Sequence, residues 1–119
     1  GLRTSGEYTA MMVKAYRERM EAAVRFMKSE LPEIPFIEPK GAFYLFLDIA
    51  CLKDKLERDP YSLDFTMKLL NEKHVAVAPG SAFGKDGFIR IAYATDKETL
   101  LSGLERIRDF VRELKGQIL

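Results

Sequence analysis

Residues 75–94 read VAVAPGSAFGKDGFIRIAYA, and this stretch constrains the fold more than any other. Two apolar, strand-like runs flank a turn-rich loop that contains Pro79, Gly80, Gly84 and Gly87. The second run, Phe88-Ile89-Arg90-Ile91-Ala92-Tyr93-Ala94, carries one charge at its centre. A guanidinium inside an apolar strand is costly unless an anion meets it. Period-two alternation places Ile89, Ile91 and Tyr93 on one side and Phe88, Arg90, Ala92 and Ala94 on the other. The branched side suits a helix layer, so Arg90 is expected on an open sheet face, half of a cleft awaiting another domain. Spacing alone leaves two partners open. One is a ligand carboxylate, which matches the planar fork; the other is an acid of the same chain, such as Asp48.

The rest of the chain supplies the layers around this stretch. Thr4-Ser5-Gly6-Glu7 has capping-box spacing, and a helix is expected from Glu7 to Glu30. Its apolar stripe is Met12, Tyr16, Met20, Ala23, Met27 and Leu31, read as core packing. Pro32 and Pro35 end it and lead into an extended link. Residues 42–49 (AFYLFLDI) read as a strand, with Phe43, Leu45 and Leu47 on one face and Tyr44 and Phe46 on the other. Both faces are apolar, so both are expected to be covered.

Residues 51–60 read as a charged surface loop with a helical turn, and Cys51 as a buried structural thiol or a bystander. Residues 61–73 read as a second helix, with Leu63, Met67 and Leu70 on its main stripe and Phe65 and Leu69 beside it. His74 falls at the C-terminal cap position. Residues 75–78 form a short strand. Thr95-Asp96-Lys97-Glu98 repeats the capping-box pattern and opens a last helix with Leu100, Leu104, Ile107, Val111 and Leu114 buried, ending near Lys115-Gly116. The order α-β-α-β-β-α predicts an α+β two-layer sandwich, with helices on one face of a small mixed sheet. A right-handed crossover joins the strands at 42–49 and 75–78; if the strand from Phe88 lies antiparallel between them, all three pair, and the residues leave that strand order open.

Composition narrows the function classes. With 119 residues the chain forms one domain, read as 1–119 without a linker or repeat. Nineteen basic against eighteen acidic residues give a net charge of +1, and no basic stripe interleaves aromatics, so nucleic acid is not an expected partner. A single cysteine excludes an internal disulfide and points to the cytoplasm. No apolar run reaches the ~18 residues of a membrane span. The glycines of 79–84 match neither the P-loop nor the dinucleotide fingerprint. No serine elbow, metal-ligand cluster or paired acid/base carboxylates occur, so neither a catalytic nor a metal site is expected.

Three motifs occur in order: Pro39-Lys40-Gly41-Ala42-Phe43-Tyr44, then residues 75–84 (VAVAPGSAFG), then residues 87–94 (GFIRIAYA). Together they closely resemble the C-terminal small domain of class I/II aminotransferases, the aspartate-aminotransferase-like, fold-type I family dependent on pyridoxal phosphate. The helix with Tyr16-Arg17-Glu18-Arg19 matches the one preceding these motifs, so the resemblance covers essentially the whole chain.

The resemblance implies a parent enzyme that transfers an amino group between an amino acid and a 2-oxo acid. It implies that Arg90 binds the substrate α-carboxylate and that Gly41, Phe43 and Tyr44 line the cleft. In the family, the Schiff-base lysine and the cofactor's other ligands lie in a large domain. None has a counterpart here; Lys40 and Lys85 sit outside any such motif. The expected partners are therefore that missing large domain and the substrate, in a homodimeric parent. The chain alone is expected to bind no cofactor and to be inactive. A related pyridoxal-phosphate lyase or synthase, and a stand-alone interaction module using the apolar sheet face, are the alternatives.

Overall fold

The computed structural model describes residues 5–37, 44–92 and 96–116. Helix α1 spans Ser5–Glu30, α2 Tyr61–Lys73 and α3 Lys97–Leu114. Strands β1 (Phe36–Ile37), β2 (Tyr44–Asp48), β3 (Ala78–Pro79) and β4 (Phe88–Ala92) form one sheet in the order β1-β2-β4-β3. Two 3-10 turns, Ala50–Lys55 and Gly80–Phe83, complete the path.

The α+β sandwich stands as expected, and β4 lies between β2 and β3. Every paired neighbour is antiparallel, so the sheet is not mixed. Strands β2 and β3 run parallel, but β4 separates them. The link after Pro35 was expected to be merely extended; instead Phe36 and Ile37 pair with Leu47 and Phe46 as an extra edge strand. Most of residues 75–78 is unpaired, and β3 is reduced to Ala78–Pro79.

Alternation sorts the sheet as the residues dictate. Leu45, Leu47 and Ile89 are fully buried beneath the helices, with Ala23, Met27 and Leu31 of α1 and Leu100, Leu104, Ile107, Phe110 and Val111 of α3. Phe65 of α2 meets Phe110 edge-on at 5.1 Å. Tyr44, Phe46, Asp48, Phe88, Arg90 and Ala92 occupy the other face, half-buried or exposed. Phe46 is thus only partly covered by the described residues, on the face whose cover was expected from outside this domain.

Five local expectations change. The stripe of α1 is core only in its second half; Met12 is exposed together with Met11 and Val13. On α2 the stripe is inverted: Leu63, Met67 and Leu70 face solvent, whereas Phe65 and Leu69 are buried with Ser62, Asp64 and Thr66. Cys51 is exposed, so the buried-thiol alternative drops out. Helix α3 is capped by Asp96, whose carboxylate accepts from Thr99 N–H at 3.1 Å. The capping residues Thr4 and Thr95 lie outside the described residues, as do Ala42, Tyr93 and Ala94. Leu114 is partly buried rather than core. His74 does cap α2, with left-handed φ 59° and its N–H on the Leu70 carbonyl.

The inversion on α2 has a polar cause. Its N-cap is Pro60, which offers no side-chain acceptor, and an orphan N–H must find one elsewhere. Asp86 supplies it from the loop before β4, accepting from Ser62 N–H at 3.1 Å. Asp64 turns inward, accepts the N–H groups of Glu57 and Arg58 at 2.9 and 3.3 Å, and pairs with Lys68 at 3.6 Å. Thr66 donates to the Ser62 carbonyl. Buried polar groups so satisfied cost little.

Burial alone would raise both carboxyls. In Asp64 the N–H groups of Glu57 and Arg58 and the Lys68 charge outweigh it; in Asp86 bonds from Ser62 and Gly87 and the Lys53 charge do. Both are held below the ordinary carboxylate range. Tyr61 moves the other way, pushed up by burial and by the charges of Asp86 and Asp48. Depressed carboxyls stabilise the fold above the unfolded value near ~4 and lose that contribution as pH falls through the folded value. The raised phenol stabilises it below ~10 and loses that as pH rises. The thermal midpoint should therefore be flat near neutrality and fall at both ends. Asp64→Ala should cost about 2 kcal/mol at neutral pH and flatten the acid limb. An acid limb as steep as in the unsubstituted chain would show that Asp64 is not one of its sources.

Candidate functional site

Arg90 stands at the middle of β4, opposite Phe46 on β2 and Ala78 on β3. A central strand position gives its backbone two hydrogen-bonded neighbours and fixes the side chain on the open face. The guanidinium carbon lies 4.4 Å from the centre of the Tyr44 ring and 5.1 Å from that of Phe83. Both are within cation–π range. Phe83 in turn meets Phe46 edge-on at 5.7 Å and 77°.

No carboxylate among the described residues pairs with Arg90. Asp48 shares its face, but its Oδ1 accepts from Ala50 N–H at 2.9 Å. The own-chain ion pair left open on spacing is therefore not formed by Asp48. What remains is a half-buried fork beside two aromatic rings, with no hydrogen-bond partner at its donors among the described residues, a site that can take a planar anion bidentately.

Of the expected cleft residues, Tyr44 is brought against Arg90, while Gly41 and Phe43 lie outside the described residues. Phe83 was not singled out as a site residue, although the resemblance implies that the loop of residues 79–84 approaches the cleft or the large domain. Alternation assigns strand residues to faces and says nothing of a residue in a turn. The available signal is an aromatic flanked by Gly80 and Gly84 two residues short of a strand-feeding turn.

The loop that carries Phe83 is built tightly. Lys85 N–H donates to the Gly80 carbonyl at 2.8 Å, and Phe88 N–H to the Lys85 carbonyl at 3.2 Å. Ser81 N–H donates to Oγ of the fully buried Ser62 at 3.1 Å. Gly84 closes the 3-10 turn at φ +75°, where a side chain is disfavoured. Far from a phosphate cradle, these glycines fold the chain back into β4.

A groove of about 660 Å³ lies elsewhere, between the segment from His74 to Val77 and the first half of α3. It does not include Arg90, Tyr44 or Phe83. Among the described residues no cluster of His, Cys, Asp or Glu could hold a metal ion, and no helix is long and apolar enough to cross a membrane.

A family model described as aminotransferase class I and II matches residues 2–107. The chain belongs to that family. It is 37% identical over 110 residues to a probable aspartate/prephenate aminotransferase of Aquifex aeolicus, covering 92% of this chain and 27% of that protein. The structure of an aspartate aminotransferase from Thermotoga maritima superposes with a TM-score of 0.73 at 40% identity, covering 87% of this chain and 24% of that one. An aromatic aminotransferase from Pyrococcus horikoshii superposes with a TM-score of 0.74 at 35% identity, covering 95% and 29%. The chain thus spans about a quarter of the length of these relatives.

Proposed function

We propose that residues 1–119 are the substrate-clamping, C-terminal small domain of a pyridoxal-phosphate-dependent aminotransferase, and that Arg90 binds the α-carboxylate of the amino acid or 2-oxo acid. The observation that carries this reading is a guanidinium on the open face with aromatic contacts and no described carboxylate partner. An arginine so placed has its fork reserved for an incoming anion.

The residues around Arg90 do not fit the cofactor. Tyr44, Phe46 and Phe83 offer rings, with no amine for a covalent link and no cradle for a phosphate. The cofactor and its lysine are assigned to the parent's remaining length, as is the homodimer contact. Here the domain's own task is to bind and orient the carboxylate and to shield it from water. Side-chain specificity is not assigned to this domain: the aspartate/prephenate and aromatic relatives share it.

The test is an assay of the intact enzyme for amino transfer from a panel of α-amino acids to 2-oxo acids. Transfer supports the reading. Elimination products without transfer would replace it with the lyase or synthase alternative, and neither activity would favour the interaction module.

A further inference from the structure

Arginine carries about 2 kcal/mol of rotamer entropy, so a fork with no ionic partner would wander unless something else held it. From the geometry we infer that Tyr44 and Phe83 are positioning residues that hold the Arg90 guanidinium in place before the carboxylate arrives. This rests on the reading of Arg90 as the carboxylate-binding group and adds to it the means by which the group is aimed.

The two rings reach Arg90 from different elements. Tyr44 sits on β2, where its pairing with Ala92 makes it the diagonal neighbour of Arg90, close enough for an aromatic to touch. Phe83 comes from the turn after β3 and is itself immobilised, edge-on against Phe46 and anchored through Ser81 to the buried Ser62. Each ring approaches the cation at a distance where its quadrupole attracts it. The ring contacts leave the charge unneutralised, and among the described residues no hydrogen bond occupies the N–H donors, so the fork stays available while its freedom falls. Pre-ordering of this kind strengthens binding by lowering the entropy lost on capture.

The experiment is steady-state kinetics of the intact enzyme with Tyr44→Leu, Tyr44→Phe, Phe83→Leu and Phe83→Tyr, beside Arg90→Leu. The leucine variants should raise KM for the α-amino acid about tenfold, with kcat within about threefold. The ring-keeping variants should stay within about twofold of the unsubstituted enzyme in both. If the leucine variants lower the thermal midpoint and kcat together without moving KM, or if the ring-keeping variants fall as far as the leucine ones, the positioning role is overturned. If Arg90→Leu leaves kcat/KM unchanged, the carboxylate reading fails and the positioning role with it. A raised KM for Arg90→Leu beside unchanged leucine variants of Tyr44 and Phe83 defeats the positioning role alone.

Discussion

Arg90→Leu in the intact enzyme should lower kcat/KM for α-amino acids by about 10²- to 10³-fold, equivalent to roughly 3–4 kcal/mol, as truncation of one partner of a desolvated charge pair does. The loss should be confined to catalysis. Within the domain the guanidinium has ring contacts and no described ionic partner, so its removal forfeits about 1 kcal/mol of cation–π attraction while removing a charge from an aromatic face. Unfolding by urea should therefore show a midpoint close to that of the unsubstituted domain. Arg90→Lys should recover only part of the activity, because a point charge on a flexible stem cannot make two parallel hydrogen bonds to a carboxylate. Equal kcat/KM for the leucine variant and the unsubstituted enzyme would refute the clamp. A collapse of stability in step with activity would instead assign Arg90 to holding the sheet together.

The place of Arg90 on the open face was legible because strand periodicity is local. In FIRIA the alternation that buries Ile89 must turn Arg90 outward, and the structure obeys it. Helix α2 shows the opposite case. Its sequence carries two apolar stripes, and periodicity cannot say which one faces inward. The choice was made by polar residues: Ser62 and Asp64 turn inward, where Asp86 and the Ser81, Glu57 and Arg58 N–H groups meet them, and Thr66 follows with its hydroxyl satisfied by the Ser62 carbonyl of its own helix. Asp86 lies 24 residues from Ser62, a separation that no window of local pattern spans. The same holds for Phe83, whose neighbour Phe46 sits on β2, with α2 and β3 between them in the chain. Strand β1 was hidden for a different reason: two residues are too few to show a period.

The loop that carries Phe83 gives the second large effect. Gly80→Ala should destabilise the domain by about 3 kcal/mol or more, because overpacking against backbone cannot be relieved by a rotamer change. A Cβ at Gly80 would stand 1.9 Å from the Lys85 carbonyl oxygen and 2.4 Å from that of Phe88. Lys85 O already accepts Phe88 N–H, and Gly80 O accepts Lys85 N–H. Making room breaks the bonds that close the turn. Gly84 is the control, four residues on in the same loop. Its constraint is conformational, φ +75° with open space around it, so Gly84→Ala should cost only about 1 kcal/mol. Urea unfolding of the three proteins by circular dichroism reads the difference directly. Equal midpoints for Gly80→Ala and Gly84→Ala would mean that crowding at Gly80 does not hold the turn shut. The expected order has a consequence for the site: opening the turn at Gly80 withdraws Phe83 from Arg90, so any Gly80→Ala enzyme that still folds should bind amino acids as weakly as Phe83→Leu. The glycine then acts on the carboxylate through the ring it places, without touching the substrate.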